Sequence, residues 1–188
     1  MSTVNVPRFT NTVLAILTAR PGLGSVQLRK ALIIADALHL SLFGESFTGT
    51  KYIKFPHGPV PDRDAFNILN RMCSEDYLID IIEEPEGATT KTSFFALKTP
   101  DAETFTAEEE KIIRFAADVA FKYSAAKLSE ITHDEVFNNT PMKGEIPLNR
   151  ICTFISTDRF DAPDFTEEEK NDFIKVLSSS EAKQFTFV

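Results

Sequence analysis

FTGTKYIKFPHGPVP, residues 47–61, interrupts a chain that reads as helix on either side. Thr50, Tyr52, Ile53 and Phe55 are β-favouring types, so residues 47–55 read as a turn followed by one short strand. The run His57, Gly58, Pro59, Val60, Pro61 cannot be helix. Its two prolines lack an N–H donor and push the residues before them toward extended backbone. This break places a strand between helices and sets the mixed class.

Working upstream, Thr10 is a candidate cap for a first helix, with Val13, Leu14, Ile16 and Leu17 as its apolar face and Pro21-Gly22 as its stop. Ser25 is a candidate cap for a longer second helix. There Val26, Leu28, Leu32, Ala35, Leu38 and Leu42 recur near helical spacing, and Gly44 terminates it. Downstream, Asp62 caps a third helix through Ala65, Phe66, Ile68, Leu69 and Met72. Residues 77–84 and 91–98 then read as two strands of a hairpin around Pro85-Glu86-Gly87. Thr106 and Glu109 form a capping box at the head of a further helix carrying Ile112, Ile113, Phe115, Ala116, Val119 and Ala120. A short helix is predicted to begin at Leu128, and a second box, Thr166 with Glu169, opens a terminal one. The expected fold is α+β and mostly α. It has a winged-helix-like core of helices, one short strand and a β-hairpin, followed by C-terminal helices. One domain is expected over residues 1–188, with 142–188 as a less regular C-terminal extension.

The length of 188 residues suits one compact domain that needs no disulfide or metal staple. Two cysteines, Cys73 and Cys152, are too few for a disulfide framework or a Cys-rich metal site. No apolar run approaches the ~20 residues that span a bilayer, and residues 1–9 show no signal peptide. A cytoplasmic protein with no membrane association is the expectation. The net charge of −8 falls entirely on residues 101–188, while residues 1–100 balance. Nucleic-acid binders usually carry the opposite sign on one face, so the acid favours solubility or a basic protein partner.

Phosphate-binding loops, nucleophile elbows and His-Glu-x-x-His zinc patterns are all absent from the sequence. Asp36 and His39 lie three apart on the second helix and could share a face. Within an apolar helix such a pair more often forms a satisfied hydrogen-bond network than a metal site. No enzyme activity, metal or cofactor is therefore expected. Seventeen Phe and no Trp is unusual usage. Most of these rings read as core, while Phe137, Phe154, Phe160 and Phe165 fall in less regular sequence where an interface could use them.

Four motifs in order carry a resemblance. They are Lys30 to Leu40 with Asp36 and His39, then Phe47 to Tyr52 with Gly49, then the His57 to Pro61 run, and Leu128 to His133 behind the Thr106 box. Together they resemble the Panacea domain, the SocA-like antitoxin domain, over about residues 27–141. The family commonly has an aromatic residue where this chain has His57, and a Trp near the position of Phe137. The resemblance implies a non-enzymatic antitoxin of bacteria or phages. Such a protein binds and neutralises a toxin encoded by a neighbouring gene, in at least one kind as an adaptor to a protease. Tyr52, Phe55, His57 and Phe137 are the candidate partner-binding residues, with core packing the competing role for Tyr52 and Phe55. Asp36, His39, Gly49, Gly58, Pro59, Val60 and His133 are motif residues of expected structural role. The alternative is a winged-helix-like regulator that binds its own promoter DNA. It finds poor support in the third helix and the hairpin, where Arg63, Arg71, Lys91 and Lys98 are offset by acid.

Overall fold

A computed structural model describes residues 4–75, 78–133 and 135–148. The element order is α1 (Val6–Ala19), α2 (Ser25–Phe43), β1 (Tyr52–Phe55), β2 (Gly58–Pro61), α3 (Arg63–Ser74), β3 (Ile79–Glu86), β4 (Thr89–Ala96), a single 3₁₀ turn, α4 (Ala107–Lys122), α5 (Ala125–Ile131), α6 (Glu135–Asn139) and β5 (Glu145–Ile146). The fold is thus α+β and mostly α, as expected, with two strands where one was expected between α2 and α3. The terminal helix expected from Thr166 lies outside the described residues. Among the described residues no helix is long and apolar enough to cross a membrane.

Helix α2 is the centre. Every residue from Lys30 to His39 is buried, because α1, α4, α5 and β2 surround the helix. A helix apolar on all sides has no solvent face to spare, and the single-face pattern expected from Val26 to Leu42 understates this. Gln27 fastens the head of α2. Its Oε1 accepts from the Gly24 N–H at 3.0 Å, and its Nε2 donates to the Ala120 carbonyl at 2.9 Å. The N-cap is Gly24, with Ser25 the first helical residue. Helix α1 likewise starts earlier than Thr10 predicts. Asn5 caps it through the Arg8 N–H at 3.2 Å, and Pro7 sits in its first turn where no donor is needed. Asp62, Gly44 and the Thr106–Glu109 box cap as expected. Leu128, expected to open a short helix, lies in the middle of α5, which Ser124 caps.

Two antiparallel sheets form among the described residues. One is the β3–β4 hairpin, with strands of the expected length set two residues closer to the turn, which falls at Gly87-Ala88. The other corrects the expectation of one lone strand: β1 is the centre of a three-stranded sheet in the order β2-β1-β5. Strand β2 holds the prolines, which an edge strand tolerates because one side of it needs no donors. Strand β5 comes from the segment that reads as irregular, and pairs Ile146 with Tyr52.

Candidate partner-binding cleft

The β1–β2 hairpin stands beside α2 and α3, and the space between them is an open cleft of about 540 Å³. Its position is set from below. Asp36, fully buried on α2, accepts from the Thr48 N–H and the Thr48 hydroxyl, both at 2.7 Å, and from the Tyr52 hydroxyl at 2.6 Å. These bonds pin both ends of the loop into β1 to the central helix. Burial raises the Asp36 carboxyl above the ordinary carboxylate range, with the bonds from Tyr52 and Thr48 opposing that rise. Burial, and then the charge of Asp36, pushes the Tyr52 phenol well above its usual value. Gly49 lies in the pinned loop, where its N–H donates to Ser46 Oγ at 2.9 Å.

A second polar knot lies one turn along α2. His39 Nδ1 is 2.7 Å from the Glu45 carbonyl and Nε2 is 3.1 Å from Glu109 Oε1. Glu109 also receives the Arg8 guanidinium and the Thr106 N–H. Burial alone would raise the Glu109 carboxyl, but bonds from Thr106, Arg8 and His39 outweigh it and hold it below the usual range. Asp36 and His39 thus serve separate hydrogen-bond networks that join α1, α2, α4 and the loop. Among the described residues no cluster of three His, Cys, Asp or Glu side chains could hold a metal ion.

The hairpin closes on Pro56-His57, with Phe55 opposite Gly58. Gly58 has φ of 105°, and a Cβ there would meet Lys30 Nζ at 2.1 Å. The backbone angle favours glycine, and a side chain here would have to displace the Lys30 ammonium. Val60 and Pro59 line the cleft from β2. Phe55 on the hairpin and Phe66 on α3 stand at the cleft 41% and 46% exposed.

The four candidate partner-binding residues separate. Phe55 and the exposed His57 line the cleft, and the His57 carbonyl accepts from Ser129 Oγ at 2.9 Å. Tyr52 and Phe137 are 1% and 4% exposed. A partner that leaves the fold unchanged cannot reach them, because strand alternation turns Tyr52 onto Asp36 and α6 turns Phe137 inward. Phe137 instead stacks on His133 at 4.2 Å, with Lys54 Nζ 4.6 Å from its ring centre. Two cleft residues escaped the sequence. Phe66 reads as part of the apolar face of α3, yet the buried set is Ala65, Leu69 and Met72. Lys30 stands out in the sequence only as the first residue of a motif stretch. The signal available for it was the unbroken apolar run from Ala31 to Ala35 that follows.

The model of the family described as antitoxin SocA-like, Panacea domain, matches residues 28–136, more than half of the chain. No curated protein and no solved structure matches it. The matched region spans α2, the β1–β2 hairpin and α3, and so most of the cleft. The chain belongs to the SocA-like antitoxin family, the Panacea domain.

Proposed function

We propose that this protein is a cytoplasmic antitoxin without enzyme activity, which neutralises a cognate toxin from a neighbouring gene by direct binding. Family membership supports the class. The observation that carries the mode of action is the pair of exposed rings, Phe55 and Phe66, on an open apolar cleft. Exposed apolar surface of this kind, edged by charge, suits a protein interface whose energy comes from a few aromatic anchors. Neutralisation is then steric, by covering the toxin surface.

Co-expression with each flanking open reading frame tests the reading. A neighbour that is toxic alone, harmless together with this chain and co-purified with it is the expected result; no rescue with any neighbour overturns it. Delivery to a protease adds a distinct outcome, namely loss of toxin protein in rescued cells. Promoter binding draws little support from α3 and the β3–β4 hairpin. Lys91 faces Glu84 there, with Glu83 and Glu86 adjacent and exposed.

A further inference from the structure

Lys30 lies on α2 where the helix passes beneath the β1–β2 hairpin, and it lines the cleft. The residue is 2% exposed. Its Nζ donates to Thr132 Oγ1 at 2.7 Å, whereas an ammonium has three donors to place. Among the described residues neither a carboxylate nor a second acceptor bonds to it.

The groups around it make the imbalance worse. Arg29 is its neighbour on α2, and Arg63 and Lys143 line the same cleft. Lys30, Lys54 and His57 together bear on His133, whose Nε2 is buried with no hydrogen-bond partner. Burial first, and then these cations, hold the His133 imidazole below its ordinary value. Among the described residues the one acid lining the cleft, Asp62, is committed to capping α3 through the Ala65 N–H at 3.0 Å. Burial, and then the charge of Arg29, lowers Lys30 itself to about 7. A buried cation without a counter-ion is unfavourable unless something supplies one. The cleft walls beside it are apolar, with Phe55, Val60 and Phe66.

We propose that the cleft seats an acidic, aromatic-containing peptide segment of the toxin, with one carboxylate on Lys30 and the apolar side chains against Phe55 and Phe66. The proposal rests on the antitoxin reading for the partner's identity, and on the cleft alone for the partner's chemistry. A purely apolar segment leaves Lys30 buried and unpaired. A nucleic acid offers a phosphate to the cation and bases to the rings, but it must approach a protein of net charge −8. A carboxylate requires the ammonium form, so binding tightens as pH falls through 7 and weakens above it. Charging of His133 at lower pH acts in the same direction.

The test uses the full-length, 15N-labelled protein and two capped peptides, acetyl-Phe-Glu-Phe-amide and acetyl-Phe-Gln-Phe-amide. Saturable shifts in α2 and β2 amides with the Glu peptide are expected. Binding should be at least about tenfold weaker with the Gln peptide, with Lys30→Met, or at pH 9. Phe55→Ser, at an exposed position, should also weaken it while leaving the fold intact. No saturable binding of the Glu peptide overturns the proposal. So do equal binding of both peptides, an unchanged Lys30→Met variant, or preference for inorganic phosphate over the Glu peptide. Growth rescue separates the two levels. A Lys30→Met chain that binds and neutralises the toxin like the parent removes the cleft proposal and leaves the antitoxin function standing. Peptide binding by a chain that rescues from no neighbour does the reverse.

Discussion

A Cβ on Gly58 would stand 2.1 Å from Lys30 Nζ, so each residue limits the other. Lys30 titrates near 7 when folded, below its ordinary 10.5. Between those values the unfolded chain holds a proton that the folded one has released, so stability rises with pH across that window. Below 7 both states are charged and the full penalty, on the order of 5 kcal/mol, is present. Lys30→Met should therefore raise Tm at pH 7 and flatten the increase in stability between pH 7 and 10, as read by thermal melts across pH. Gly58→Ala meets a strained backbone and the buried ammonium together. A loss of about 2 kcal/mol is expected, partly recovered in the Lys30→Met background, and urea titration of the four variants measures it. Asp36→Ala leaves the Thr48 N–H and hydroxyl and the Tyr52 hydroxyl without their acceptor in the core. About 3 kcal/mol should be lost by the same titration. The burial of Asp36 in a hydrogen-bond network was legible from its apolar surroundings. The burial of Lys30 was not, because a lysine on a helix normally keeps its head in water and only the packing of β2 closes that route.

Among the elements, those with local signals came through best. Asp62, Gly44 and the Thr106–Glu109 box each act on backbone within a few residues, so their chemistry is complete in the sequence. Thr106→Ala removes the acceptor for the Glu109 N–H and should lower stability by about 1 kcal/mol, measured by chemical denaturation. The start of α1 was misplaced because Asn5 and Pro7 carry the cap, while Thr10 sits inside the helix. Strand β2 was legible as extended but not as paired, since two prolines in four residues suit a strand only at an edge. Strand β5 has two residues, too few for any alternation to register, and its partner is distant in sequence. Helix α3 shows the same division: the spacing of Ala65, Leu69 and Met72 is plain, but which flank takes Phe66 depends on where the hairpin stands.

At the scale of the molecule, acid and base are sorted by place. The excess acid belongs to residues 101–188, whereas the cleft is built largely from the balanced first hundred residues and gathers Arg29, Lys30, Arg63 and Lys143. Overall charge thus suited solubility or a basic partner, and the local site points to an acidic one. Salt distinguishes them. Association through the buried Lys30 should weaken little as ionic strength rises, whereas association through the exposed acid should weaken steeply. The affinity of the toxin complex in a salt series checks this.

Lys51 on the approach to β1 and Glu145 in β5 stand 94 residues apart and meet in an ion pair at 2.9 Å. A ribosome making this protein completes α1 to α4 while the middle strand of the small sheet still has one side bare. Through that interval the nascent chain offers an open strand edge to any other chain nearby. The last residues of the sheet therefore act as a closure on manufacture: a product cut or stalled before Glu145 should be caught by chaperones or clump, even though nearly all of its helical core has been made.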